Sequence, residues 1–172
     1  MVNESLKAAK EAGAEIRCIR LVEKEIRACD GCDICIKNRK CHIQDDMAEV
    51  LEEMVLSDGI IIASPVYIGG VTSQVKALID RVGHFNVKAL NRTALTGKVG
   101  GAIVAGDSAG FFLTLAQILH FFLIVRMIIA GAPQVYGRGY ARGDVLKDIE
   151  GLKRARELGN AMVDLAKKLK SS

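Results

Sequence analysis

Hydrophobic and polar positions alternate along this chain in blocks that predict five helices separated by four strands. Residues 3–12 read as a short helix, with Gly13 where a helix C-terminus would place it. "AEIRCIRLV" (14–22) is partly alternating and carries Ile, Cys and Val, which predicts a strand. Met47, Val50, Leu51, Met54 and Val55 recur at helical spacing. Asp46 stands three residues before Glu49 as in a capping box, so a helix is expected over 46–57. "GIIIAS" (59–64) and "VGGAIVAG" (99–106) are apolar runs of the length of strands buried on both faces. Between them Val71, Val75, Leu78, Ile79 and Val82 line one face of a helix. An apolar helix over 111–129, a weak strand at Pro133–Tyr136 and an amphipathic helix over about 144–169 complete the series.

Strands alternating with helices require right-handed crossovers, which build an open parallel sheet with helices on both faces. In such sheets ligands bind at the carboxyl ends of the strands. Two loops fall there, "SPVYIGG" from Ser64 and "GDSAG" from Gly106. With no internal repeat and no low-complexity linker, 172 residues are expected to form one domain, 1–172, that includes a cysteine loop at 23–44.

Composition narrows the function classes. Tryptophan is absent and aromatics make up 5% of residues, which disfavours a nucleic-acid module built on stacked bases. The net charge of +4 is modest and its cations are scattered, so no phosphate-tracking stripe appears. The stretch Phe111–Gly131 is long enough to resemble a membrane span, but Gln117, His120 and Arg126 interrupt it. A buried helix, or one in a subunit interface, is the expectation, with no membrane partner. The opening "MVNESLKAAKEAG" is polar and helical rather than signal-like. A reducing cytoplasm is therefore expected, where clustered cysteines bind metal more often than they pair.

The chemistry is concentrated in "CDGCDICIKNRKC". Cys29, Cys32, Cys35 and Cys41 place four of the five cysteines within thirteen residues. Three cysteines in consecutive two-residue steps wrap one compact object, as in bacterial ferredoxins, though the short final spacing and trailing proline are lacking. Zinc sites usually join two such knuckles through a longer insert. The spacing thus favours an iron–sulfur cluster over zinc and over reactive thiols or disulfides. Gly31 permits a tight turn between the first two ligands. Lys37, Arg39 and Lys40 either offset cluster charge or sit in a solvated loop. His42 is a spare ligand or a solvated histidine, and Cys18, on a strand, reads as a small core residue.

The cysteine motif followed by "SPVYIGGVTSQVKALIDR" (Ser64–Arg81) resembles the iron-sulfur flavoproteins, flavodoxin-like relatives of the NAD(P)H-dependent FMN reductases. The likeness runs from residue 3 to about 130, through "LTGKVGGAIVAG" and "FFLIVRMIIAGA". It implies a flavodoxin-like three-layer α/β/α fold with an open parallel sheet. It also implies a 4Fe-4S cluster on Cys29, Cys32, Cys35 and Cys41 beside FMN, a ferredoxin-like electron donor, and a homodimer or homotetramer in which a cluster can face a neighbouring subunit's flavin. A flavin holds one or two electrons and a cluster moves one, so the pair converts between them. By position, Ser64, Pro65, Val66, Tyr67, Ile68 and Gly69 would line the flavin. Tyr67 either stacks on the ring or caps the strand as a packed aromatic. Gly106, Asp107 and Ser108 would lie on the ring's other side.

Two departures accompany the resemblance. The chain begins within the family's first helix, without the preceding strand and the Ser/Gly/Arg-rich phosphate loop, for which a start placed too late is the simplest account. In a 2-1-3-4-5 sheet that strand is central, so open edges are expected on 14–22 and 59–63. In addition, Phe111 and Phe112 of "GFFLT" stand where polar Gln and Glu are usual beside the flavin. Two other classes therefore stay open. One is an NAD(P)H-dependent flavin or quinone reductase with zinc in the cysteine loop. The other is a non-enzymatic metal-loop scaffold that has lost FMN.

Overall fold

The computed structural model describes residues 1–131 and 135–171. Helix α1 (Val2–Glu11) leads through an extended segment to α2 (Ile34–Asn38) and α3 (Met47–Leu56). Strand β1 (Gly59–Pro65), α4 (Ser73–His84), β2 (Val99–Gly106) and α5 (Phe111–Ile124) follow. The short strands β3 (Ile128–Ile129) and β4 (Tyr136–Arg138) precede α6 (Ile149–Lys170). All pairings are parallel: β1 joins β2 from Gly59↔Val99 to Pro65↔Ala105, and β3 and β4 share the other edge of β2.

Period-two alternation divides the sheet between two cores. Ile62, Ala102 and Val104 face α3, α4 and α5, packing on Val50, Leu78, Ile118 and Phe122. Val99 and Ile103 face α6, against Ala155, Leu158 and Met162, with Met1 and Val2 at the α1 end alongside. Gly100 is required for the first packing, since a Cβ there would lie 2.9 Å from the Phe122 ring. The result is the expected three-layer α/β/α flavodoxin-like architecture with an open parallel sheet.

Four sequence expectations change. The segment 14–22 forms no strand; it runs extended into a single 3₁₀ turn at Leu21–Glu23, and Cys18 is exposed rather than in the core. A strand exists only by pairing, and among the described residues none runs beside this segment or along the outer edge of β1. Ile19 and Leu21 still reach the first core. The helix expected over 111–129 stops at Ile124, where Arg126 adopts a left-handed φ of 61° and Ile128–Ile129 turn into β3. A continuous apolar run reads the same whether it is one buried helix or a helix followed by a buried strand. No helix among the described residues is long and apolar enough to cross a membrane. Asp46 does not close a capping box: its carboxylate accepts the Glu25 N–H, while Glu49 pairs with Lys24. The last helix begins at Ile149, capped by Asp148 accepting from Gly151 N–H, after a 3₁₀ turn at Asp144–Lys147. Of the weak strand expected at Pro133–Tyr136, Pro133 and Gln134 lie outside the described residues, and Tyr136 opens β4.

Helices α1 and α6 touch most closely at Gly159, whose added Cβ would overlap the backbone carbonyl of Ser5. Gly159→Ala should therefore destabilise the fold by roughly 1–3 kcal/mol through overpacking, despite its gain of about 1 kcal/mol in helix propensity. A lowered urea midpoint would show it, and an unchanged or raised one would refute the closeness of the two helices.

Candidate functional site

The loop after β1 is tied at its base by Ser64. Its hydroxyl donates to the Pro65 carbonyl (2.8 Å) and accepts the Thr72 N–H (3.0 Å), so the first and last residues of the loop are stapled together. Ser64 is only 4% exposed; it shapes the loop from beneath. Thr72 then caps α4 by accepting from Val75 N–H. At the tip, Tyr67 and Gly70 exchange two backbone hydrogen bonds across Ile68 and Gly69, whose φ values are 49° and 74°. Two central residues at positive φ make a type I′ turn, which strains a β-branched residue such as Ile68. The turn projects outward. Tyr67 is 65% exposed, so it is not a packed strand cap, and Ile68 is fully exposed. Nothing among the described residues accepts from the Ile68 or Gly69 N–H.

The second loop, after β2, packs directly on the first. Val66 N–H donates to the Ala105 carbonyl (2.7 Å). A Cβ on Gly106 would lie 3.0 Å from that of Val66, and one on Gly110 would lie 2.6 Å from Gly69 Cα. Thus Pro65, Val66, Gly69, Gly106 and Gly110 come together, whereas Asp107 and Ser108 are exposed and, among the described residues, bond only to each other. Phe111 turns inward against Tyr136, with ring centroids 5.1 Å apart, and Phe112 stays exposed. Gln117 of α5 accepts the Val71 N–H and so fixes the loop's far end. Sequence reading took Gln117 only as an interruption of an apolar run.

The cysteine bend is closed at its neck by paired acids. Asp45 accepts from Arg27 N–H and Met47 N–H, and Asp46 from Glu25 N–H. Gly31, Asp33 and Arg39 all take left-handed φ values, which reverse the chain around the short α2. Cys29 and Cys32 are exposed, Cys35 and Cys41 are half-buried, and all are free thiols. Burial pushes the Cys35 thiol up, and the neighbouring charges of Cys41, Cys29 and Cys32 push the same way. The Ile34 N–H draws the Cys32 thiol down, but burial and the Asp30 carboxylate outweigh it and leave Cys32 raised. Binding of a metal by these groups would therefore release protons.

Beneath the bend lies a residue that sequence reading missed. Arg81 is buried, with its side chain only 3% exposed. It pairs with the fully buried Asp45 carboxylate and donates to the Arg27 carbonyl (3.3 Å) and to Cys41 Sγ (3.4 Å). His84, one turn further, bonds Asp33 at 2.8 Å. The signal of Arg81 in the sequence was a charge on the apolar face of α4, three residues after Leu78. Helix α4 is thus a strut, starting at the Ser64 loop and ending under the cysteines. Ser73 and Arg81 are about 12 Å apart along it.

The four sulfurs do not converge as ligands of one ion. Among the described residues, the metal-ligating side chains that meet within 4.8 Å of one another are Asp30, Cys32 and His42. Asp30 accepts from Cys32 N–H with one oxygen and faces His42 Nε2 at 2.8 Å with the other.

Comparison with known proteins places this geometry. The family model described as NADPH-dependent FMN reductase matches residues 1–141. An iron-sulfur flavoprotein of Methanocaldococcus jannaschii is 41% identical over 99% of this chain and 90% of its own length. A second from the same organism is 38% identical over 96% of this chain and 88% of its own. Among solved structures, RosB with a bound 8-demethyl-8-formylriboflavin-5'-phosphate intermediate superimposes with a TM-score of 0.74. It covers 99% of this chain and 72% of that one at 18% identity, a likeness of fold. With its sheet, its paired strand-end loops and its cysteine bend, the chain belongs to the NADPH-dependent FMN reductase family and, within it, to the iron-sulfur flavoproteins.

Proposed function

We propose that this chain is a flavin-dependent oxidoreductase that holds the FMN ring against the paired loops at the carboxyl ends of β1 and β2 and accepts electrons from NADH or NADPH. The observation that carries this reading is the Gly69–Gly110 approach beside the exposed Tyr67 and the free Ile68 and Gly69 N–H groups. Backbone donors and an aromatic edge at strand ends suit a flat heteroaromatic ring with polar edges. When bound, the flavin supplies one- and two-electron chemistry. The side chains present hold and orient the ring; none is required as an acid or base. Titration of the purified chain with FMN, followed by anaerobic NADH or NADPH, tests the reading. Quenched flavin fluorescence and bleaching of the bound flavin are expected; no quenching would sink it.

A second reading is favoured by the cysteine bend. In it, Cys29, Cys32, Cys35 and Cys41 hold a 4Fe-4S cluster fed by a ferredoxin-like donor in the cytoplasm. Sulfurs of a cluster bind separate irons, so they stand wider apart than ligands of one ion. The buried Arg81, which donates to Cys41 Sγ, suits an anionic centre. In this reading the 1–172 domain forms a homodimer or homotetramer in which a cluster faces a neighbouring subunit's flavin. Anaerobically purified protein should contain roughly four iron and four sulfide per chain, and Cys35→Ser should lose most of the iron while remaining folded. Full iron retention in that variant would remove this assignment.

A further inference from the structure

We propose that Asp30, Cys32 and His42 form a site for a single divalent ion of the zinc type, distinct from a four-cysteine cluster and competing with it for Cys32. The three ligand atoms lie within 4.8 Å of one another, the spacing of donors that share one ion rather than several. Their chemistry is mixed: one sulfur, one imidazole nitrogen and one carboxylate oxygen, a set that suits zinc and its neighbours. Their supports are already in place. The Asp30 oxygen not aimed at His42 is held by Cys32 N–H at 3.2 Å, which orients the carboxylate. His42 Nε2 and Asp30 Oδ2 stand 2.8 Å apart on a proton that an ion would replace. Left-handed Gly31 and Asp33, on either side of Cys32, bring Asp30 and Cys32 onto one side of the bend. All three side chains are exposed, so an ion can enter and a fourth position is left for water.

Sharing Cys32 has a consequence. As a terminal ligand the Cys32 thiolate serves one metal at a time, so the bend carries either the ion or the iron, not both. Zinc would then hold the bend in a redox-inactive form.

The test uses the untagged full chain, stripped of metal under anaerobic, reducing conditions, and titrated with Zn(II) and Co(II). One ion per chain is expected, with a sulfur-to-cobalt absorption of the strength of a single thiolate. His42→Ala and Asp30→Asn should each weaken binding at least roughly tenfold, whereas Cys29→Ser should leave it unchanged. Equal weakening by Cys29→Ser, a four-thiolate cobalt band, or no stoichiometric binding would overturn the site. Iron and sulfide reconstitution is run separately with and without preloaded Zn(II). Preloading should block it in the wild-type chain and not in His42→Ala. Block of both alike would overturn the competition. Failure to reconstitute without zinc would instead count against the cluster, leaving the ion titration to decide the site on its own.

Discussion

Arg81→Leu is expected to lower stability by about 3–5 kcal/mol, the usual cost of leaving one partner of a buried ion pair uncompensated. Leucine keeps much of the apolar stem, so the loss falls on the charge. Asp45 would remain fully buried at the neck of the cysteine bend with only the Arg27 and Met47 N–H groups to hold it. The Cys41 sulfur and the Arg27 carbonyl would lose their donor as well. The double variant Arg81→Leu/Asp45→Asn should recover part of the loss, because it removes the orphaned charge. Acid gives an independent readout. Burial opposes the charge of Asp45, but Arg81 and the two N–H groups outweigh it and hold the carboxyl below its usual value of 3.8. A depressed carboxyl contributes stability above its unfolded value and loses it as pH falls through the folded one. The wild-type chain should therefore weaken below about pH 3.8 while the leucine variant, whose Asp45 is neutralised by the same protons, is relieved. Urea midpoints for the two proteins should converge in acid. A constant gap across that range would mean that Asp45 is not the group concerned.

The second large effect is expected at Gly110. Its φ of 83° disfavours any side chain, and a Cβ would stand 2.6 Å from Gly69 Cα and 2.9 Å from Val66 Cγ1. Both neighbours belong to the type I′ loop, whose backbone is pinned by Ser64, Gln117 and the Tyr67–Gly70 pair. Gly110→Val should cost roughly 1–3 kcal/mol in backbone strain and a comparable amount in overpacking. Because relief comes only by parting the two loops, FMN affinity should fall by more than the fold does. Asp107→Ala is the matched control for stability, since among the described residues Asp107 bonds only to Ser108. It should leave stability near wild type. Equal FMN affinity in Gly110→Val and wild-type protein would show that the paired loops are not the ring's seat.

Much of this architecture was legible in the residues. The apolar runs at 59–64 and 99–106 and the periodic faces of α3 and α4 could be read because each element buries its own face regardless of its neighbours. The cysteine spacing and the two strand-end loops were legible for the same reason: their chemistry is contiguous. Arg81 and Gln117 were not. Each acts through a partner distant in sequence, Asp45 and Cys41 for one and the Val71 N–H for the other. Only a charge out of place on α4 hinted at the first.

What the sequence determined by itself was local. It set where helices and strands begin within a few residues, which cysteines crowd together, and which loops fall at strand ends. The tertiary structure decided what depends on a partner. Residues 14–22 have strand-forming side chains but no ladder beside them, so they stay extended and leave Cys18 outside. The apolar run after Gly110 breaks at Arg126 because the free edge of β2 offers Ile128 and Ile129 hydrogen bonds that a longer helix could not use. At the cysteine bend, backbone reversals bring Asp30 and His42, rather than the other three sulfurs, into one ion-sized set with Cys32. Propensity acts over a few residues, whereas pairing and convergence are properties of the folded chain.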